Sequence, residues 1–206
     1  MVEEQPVRLV LIRHAEQIRV GDDGPLTARG REQATALAAA LPLDPDDVLV
    51  SSPLLRAVQT AEAFGRPPKL YDDLSEFRFG PAWDWPLADD GGHLALWRPT
   101  DGNAGGETMA GFQSRVDRVV EDLVAMNSSR RVVMCAHSGV IDAILRWVFG
   151  STPATPWTTE AAVAHASVTE LHHWPRGRHP AGAPRHTLLV RIGDVAHLPE
   201  ALVTGQ

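Results

Sequence analysis

Three short runs of buried-type residues constrain the fold of this chain most strongly. Val7–Ile12 reads VRLVLI, Asp47–Val50 reads DVLV and Arg131–Ala136 reads RVVMCA. Short runs that are mostly apolar and rich in β-branched residues are typical of strands covered on both faces, as in parallel sheets. The sequence therefore predicts a central sheet whose two faces are both covered.

Four segments with helical patterning alternate with these strands. Thr27 is a candidate N-cap for the first helix. Ser52 is expected to cap the second, with Pro53 at its first helical position. The last two segments are strongly amphipathic or apolar, as helices packed on a sheet are. The predicted bounds are 25–41, 52–64, 107–126 and 139–150.

Three further strands and one long connection complete the predicted architecture. Lys69–Tyr71 is expected to be a short edge strand, and Ala166–Trp174 and His186–Ile192 two late strands. Residues 72–106 are rich in Gly, Pro, Asp and Trp, and a connection of this length is usually a lid or binding loop. We therefore predict one domain over residues 1–206, a three-layer α/β/α sandwich with a mainly parallel sheet.

Composition excludes several classes of protein. The net charge of −7 and the absence of a Lys/Arg block argue against a nucleic-acid partner. Cys135, the single cysteine, cannot form an internal disulfide and is expected to be a small buried core residue. No apolar stretch suits a membrane span, and the acidic Met1–Pro6 is unlike a signal peptide, so we expect a cytoplasmic protein. The oligomeric state stays open, a homodimer included.

Cationic and imidazole side chains follow the carboxyl ends of the predicted strands. Arg13 and His14 end the first strand, Arg56 follows the second, and His137 follows RVVMCA. Ligands of open parallel sheets bind at this edge, so we expect these side chains to converge. Glu76 lies in the loop after the predicted edge strand.

Such a set suits phosphoryl transfer. Guanidinium forks match phosphoryl oxygens, and a neutral imidazole can attack phosphorus. A carboxyl can protonate the leaving oxygen and then accept a proton from water. Each residue also has an ordinary alternative: Arg56 a surface ion pair, His137 a core histidine at a helix cap, and Glu76 a solvated loop carboxylate. Their joint occurrence at successive strand ends favours the phosphoryl-transfer interpretation.

The same segments resemble the motifs of the histidine phosphatase superfamily, whose fold is phosphoglycerate-mutase-like. LVLIRHAEQ resembles its arginine–histidine–glycine motif, SSPLLRAVQTA its second arginine motif and LSEFRFGPAW its acid-residue motif. PLTARGREQA, GGET, CAHSGVIDAI, ASVTEL and DVAHLPE match in order, so the resemblance runs from Arg8 to Leu198. It implies a phosphoric monoester hydrolase of the histidine acid phosphatase type, with a small-molecule phosphate ester as substrate and no metal or cofactor.

The resemblance also implies a role for each matching residue. His14 would be the phosphorylated nucleophile, and Glu76 the proton donor and acceptor. The residues that would bind the phosphoryl oxygens are Arg13, Arg56 and His137, with further hydrogen bonds from Gln17 and the backbone of Ser138.

Some positions depart from the family pattern. Ala15 replaces the usual glycine, and Ile18–Val20 replaces a Trp-Asn pair, which makes Arg19 a candidate substitute for a phosphate-contacting asparagine. Phe77–Gly80 lacks the Arg-His-Tyr-Gly run of the glycolytic mutases and favours the phosphatase branch. Two alternatives stay open: a mutase or phosphotransferase, and a catalytically silent protein that binds a phosphorylated ligand.

The long connection is expected to select the substrate. Its candidate contacts are Trp83, Trp85, His93, Trp97 and Arg98. A small satellite core under the loop is the alternative for the tryptophans. The late histidines do not indicate a metal site, because the adjacent His172 and His173 would point to opposite faces of a strand.

Overall fold

Six strands form a single sheet in the computed structural model of the chain, which describes residues 5–18, 23–78, 106–158, 160–175 and 186–205. The strands are β1 Val7–Arg13, β2 Val48–Ser51, β3 Lys69–Leu70, β4 Arg131–Ala136, β5 Val168–Trp174 and β6 His186–Asp194. Their spatial order is β3-β2-β4-β1-β5-β6. Strands β1 to β4 are parallel, and β5 and β6 are antiparallel additions at one side. The predicted mainly parallel sheet is confirmed.

Helices cover both faces of this sheet. They are α1 Ala28–Ala40, α2 Leu55–Glu62, α3 Met109–Met126 and α4 Ser138–Val148. Along β1, Leu9 and Leu11 join the hydrophobic cluster that contains the apolar residues of α3 and α4. Val10 and Ile12, which point to the opposite face, join the cluster of α1. These two cores make the three-layer α/β/α sandwich.

The two predicted N-caps have different outcomes. The side chain of Thr27 accepts a hydrogen bond from the third residue of α1, as an N-cap does. The prediction for Ser52 is wrong, because α2 begins at Leu55 and its N-cap makes no side-chain hydrogen bond. A carboxylate from another segment replaces the cap: Asp23 Oδ2 accepts from the Leu55 N–H at 2.9 Å.

Cys135 is a buried core residue, as predicted. It is fully buried, and burial raises the pKa of its thiol well above the ordinary value. Most of the long connection, residues 79–105, lies outside the described residues, so its expected role in substrate selection stays a prediction. Within the described ranges, no helix combines the length and apolar character needed to cross a bilayer.

Candidate active site

His14 lies at the carboxyl end of β1 with a defined tautomer. Its backbone N–H donates to the Ala136 carbonyl at 2.8 Å, which joins it to the end of β4. Its side chain is only 6% exposed. Nδ1 lies 2.9 Å from the Ala15 carbonyl oxygen. Since a carbonyl can only accept, Nδ1 carries the proton and the lone pair remains on Nε2.

The surroundings of His14 keep its ring neutral. Burial is the largest cause that lowers its pKa well below the ordinary value. The positive charges of Arg56 and Arg13 act in the same direction. A neutral imidazole with its lone pair on Nε2 is the form that can act as a nucleophile.

His137 packs beside His14 at the end of β4. The two ring centroids are 5.2 Å apart, and His137 is completely buried. Its Nε2 lies 2.9 Å from the Ser52 hydroxyl oxygen. Its Nδ1 has no hydrogen-bond partner among the described residues. Burial is the largest cause that lowers the pKa of His137 well below the ordinary value, followed by electrostatic interactions with His14 and Arg56.

The two arginines expected at the site are both held by other groups. Arg56, on α2, is 6% exposed and pairs with Asp23 across 3.5 Å. Arg13 Nη1 donates to the carbonyl oxygens of Val163 at 2.5 Å and Gly205 at 2.6 Å. Because both guanidinium groups act electrostatically on His14, the site is locally cationic in a chain whose net charge is −7.

Glu76 reaches the same region through the first turn of α4. Its Oε2 accepts from the Gly139 N–H at 3.1 Å, and its Oε1 accepts from the Phe77 N–H at 2.9 Å. A helix N-terminus favours such a carboxylate. A Cβ at Gly139 would lie 2.4 Å from Glu76 Oε1, so this approach requires glycine. Glu76 is thereby fixed beside the helix that follows His137.

A buried ion pair holds the loop that carries Glu76. Arg115, on α3, donates to the carbonyl oxygens of Asp73, Ser75 and Glu76 at 2.8, 2.7 and 3.0 Å. Both oxygens of Glu107 accept from the same guanidinium group, at 2.6 and 2.9 Å. This bidentate pair fixes the main chain of the loop. Sequence reasoning matched Glu107 to a motif but assigned a role to neither residue.

The remaining expected residues have less defined places. Ser138 is the first residue of α4, so its N–H belongs to the helix N-terminus next to His137. Gln17 forms an isolated antiparallel bridge with Leu26, and its buried Oε1 has no partner among the described residues. Arg19, Trp83 and Arg98 lie outside the described residues, and so do Trp85, His93 and Trp97.

Comparison with known families decides the classification of the chain. A family model for the histidine phosphatase superfamily (branch 1) matches residues 9–181. The chain belongs to the histidine phosphatase superfamily. The resemblance of its motifs is therefore confirmed.

Individual histidine phosphatases are similar over most of this chain. A glucosyl-3-phosphoglycerate phosphatase of Mycolicibacterium vanbaalenii is 32% identical over 204 residues, covering 85% of this chain and 88% of that protein. Phosphoserine phosphatase 1 of Hydrogenobacter thermophilus is 26% identical over 219 residues, covering 96% and 97%. A solved structure of a mycobacterial glucosyl-3-phosphoglycerate phosphatase has a TM-score of 0.70 at 26% identity, covering 90% of this chain and 98% of that one.

Sequence reasoning gave no active-site role to three polar side chains near the histidine phosphatase motifs. Ser52 contacts His137, and the Thr60 hydroxyl accepts from the Ala15 N–H at 3.0 Å, directly after the expected nucleophile. His165 lies with its ring centroid 5.5 Å from that of His14. Ser52 and Thr60 belong to SSPLLRAVQTA, and His165 directly precedes ASVTEL. Their positions in or beside these motifs were the sequence feature that could have identified them as site residues.

Substitution of Gly139 by alanine is expected to lower kcat by about tenfold to hundredfold, because the new methyl group displaces the Glu76 carboxyl from its position. The measurement is steady-state hydrolysis of an aryl phosphate. Gly111→Ala is the matched control, since Gly111 also lies in the first turn of a helix and its Cβ would meet only the Thr108 hydroxyl at 3.2 Å. Equal rates in both variants would contradict the assigned position of Glu76.

Proposed function

We propose that this chain hydrolyses a small phosphate monoester through a phosphohistidine on His14. The buried pair of His14 and His137 is the observation that best supports this function. His14 has its lone pair on Nε2, and the Nδ1 of His137 has no partner among the described residues. A phosphoryl group beside the two rings would offer its phosphorus to His14 as an electrophile and an oxygen to His137 as a hydrogen-bond acceptor.

The proposed first step transfers the phosphoryl group to His14. Nε2 attacks phosphorus and the bond to the leaving oxygen breaks, while the Glu76 carboxyl gives that oxygen its proton. Arg13 and Arg56 stabilise the negative charge on the phosphoryl oxygens. This step forms a P–N bond, releases the alcohol and leaves Glu76 as a carboxylate.

His137 would complete the oxyanion contacts. The Ser52 oxygen accepts from the Leu54 N–H at 3.2 Å, and its own proton can go to His137 Nε2. In that tautomer Nδ1–H donates to a phosphoryl oxygen. The N–H of Ser138, at the start of α4, would add a backbone donor with the favourable end of the helix dipole.

The proposed second step regenerates the enzyme. The Glu76 carboxylate takes a proton from water, and the resulting hydroxide attacks phosphorus as the P–N bond breaks. Inorganic phosphate leaves, His14 becomes neutral again and Glu76 is protonated for the next cycle. No step in this cycle requires a metal ion, because the cationic side chains and helix N-terminus supply the charge stabilisation.

Small phosphorylated metabolites are the proposed substrate class. The relatives named above act on glucosyl-3-phosphoglycerate and on phosphoserine, according to their names. Another similar protein, from Escherichia coli, is named an adenosylcobalamin/alpha-ribazole phosphatase and is 28% identical over 177 residues. Phosphate monoesters of these three kinds form the first panel to test.

A phosphate-release screen tests this function. The purified full chain is expected to hydrolyse at least one ester of the panel with a kcat/KM of about 10⁴ M⁻¹s⁻¹ or more. Activity should be unchanged in excess chelator. Isomerised phosphoester without released phosphate would instead indicate a mutase, and tight binding without turnover would indicate a silent binding protein.

A further inference from the structure

His165 lies between Arg13 and the last described residues of the chain. It is half-buried in the segment before β5. Its Nε2 is 3.3 Å from Arg13 Nη2, and its Nδ1 is 3.0 Å from the Thr204 hydroxyl oxygen. Its backbone N–H donates to the Thr204 carbonyl at 2.9 Å. The ring therefore joins an arginine of the proposed site to the segment around Thr204.

The neighbours of His165 define its tautomer. The Arg13 guanidinium can only donate, so His165 Nε2 must accept. A neutral ring that accepts at Nε2 carries its proton on Nδ1, so Nδ1–H donates to the Thr204 hydroxyl oxygen. The same oxygen accepts from Gln33 Nε2 at 2.9 Å. The Nδ1–H tautomer therefore fits both the Arg13 contact and the Thr204 contact.

The same region supplies the other contacts that orient Arg13. Nη1 is bound by the carbonyl oxygens of Val163 and Gly205, at 2.5 and 2.6 Å. Gly205 has a φ of 74°, and a Cβ there would lie 2.5 Å from His165 ring atoms. The ring and the two carbonyl groups thus accept hydrogen bonds from the same guanidinium group.

We propose that His165 is a positioning residue that aims Arg13 at the phosphoryl group, with Nε2 as the acceptor and Thr204 as its support. This inference rests on the proposed role of Arg13 in phosphate binding. Arg13, His14 and Glu16 are among the charged and titratable groups around His165. Because Nε2 accepts from the guanidinium group, the ring helps to hold Arg13 in one orientation for the substrate.

The decisive experiment compares His165→Leu, which removes the acceptor, with His165→Gln, whose amide oxygen can lie near the position of Nε2. For the proposed aryl phosphate hydrolysis, His165→Leu is expected to lower kcat/KM about tenfold to hundredfold, the usual effect of a lost hydrogen bond to a charged group. His165→Gln is expected to restore most of this loss. The dissociation constant of inorganic phosphate should follow the same order.

A double-mutant cycle separates positioning from general support of the fold. Once Arg13→Gln has removed the guanidinium group, His165→Leu should cause little further loss. Multiplicative losses in the double variant, or failure of His165→Gln to restore activity, would overturn the proposal. A wild-type chain that neither binds nor hydrolyses phosphate esters would instead overturn the proposed function.

Two further variants guard against an indirect effect on folding. Thr204→Val removes the support of Nδ1 without touching the ring and should lower kcat/KM in the same direction. An unchanged kcat/KM in a folded Thr204→Val variant would contradict the supporting role of Thr204. His197→Leu is the control, because His197 is also half-buried but its Nε2 bonds the Ala166 carbonyl at 3.1 Å. An equal loss of kcat/KM in this control would show that the effect of His165→Leu does not act through Arg13.

Discussion

We expect His14→Ala to abolish hydrolysis of an aryl phosphate, with a fall in kcat by a factor on the order of 10⁴ or more. The physical reason is the position of His14. Among the described histidines, it is the one at the end of β1, and its Nδ1–H bonds the Ala15 carbonyl so that the lone pair is on Nε2. His137 is close, but its Nε2 contacts Ser52 and its ring lies at the end of β4. It cannot replace the nucleophile without moving.

Rapid quenching provides the direct measurement. Wild-type protein mixed with labelled substrate should carry an acid-labile, alkali-stable phosphoryl group, and His14→Ala should carry none. His186→Ala is the matched control, since this exposed histidine on β6 contacts Trp174 and lies away from the site. Retained activity in a folded His14→Ala variant, or a label that survives in it, would refute the phosphohistidine mechanism.

Glu76→Gln is expected to lower kcat by about 10²–10⁴-fold, because the amide can neither protonate the leaving oxygen nor accept a proton from water. The loss should depend on the leaving group. An alkyl phosphate needs the proton in the first step, so its turnover should disappear. Nitrophenolate leaves without much protonation, so with nitrophenyl phosphate the first step should survive and the second should stall.

Burst kinetics test this directly. Glu76→Gln should release about one equivalent of nitrophenolate per enzyme and then continue only at the lowered steady-state rate, with phosphohistidine accumulating. Glu62→Gln is the control, because Glu62 is an exposed residue at the end of α2. A variant that hydrolyses alkyl and aryl esters with equal residual rates, and without accumulation, would show that Glu76 does not move the proton.

The catalytic candidates were predictable because of a geometric property of parallel sheets. Arg13, His14 and His137 directly follow buried runs, and parallel strands end at one edge of the sheet. The structure pairs Arg13 with Ala136 in register, which places the two histidines on neighbouring strand ends. Short-range sequence patterns were sufficient to predict these positions, because each residue is located once the end of its own strand is known.

Ser52 shows where local patterns fail. A serine followed by proline is a good candidate for a helix cap, which is why the local pattern predicted that role for Ser52. In the folded chain Asp23 accepts the first N–H of α2, while the Ser52 hydroxyl contacts His137. The partner of the Leu55 N–H thus comes from a residue more than two dozen positions away along the chain.

The contacts that orient the candidate groups also could not be predicted from the sequence. Arg115 holds the Glu76 loop across 39 to 42 positions, and His165 meets Arg13 across 152. No periodicity or cap pattern links such pairs. Removing one partner of the buried Arg115–Glu107 pair is expected to cost roughly 3–5 kcal/mol, because it leaves an uncompensated charge in the interior.

The sequence by itself determined the alternation of buried strands and amphipathic helices, the mainly parallel sheet and the strand ends that carry Arg13, His14 and His137. These features follow from local periodicity and from the geometry of a parallel sheet. The tertiary structure alone decided how Arg13 and Glu76 are aimed. Their partners, His165 and Arg115, become neighbours only when distant segments pack, because hydrogen bonds to buried charges depend on three-dimensional proximity and leave no periodic trace in the chain.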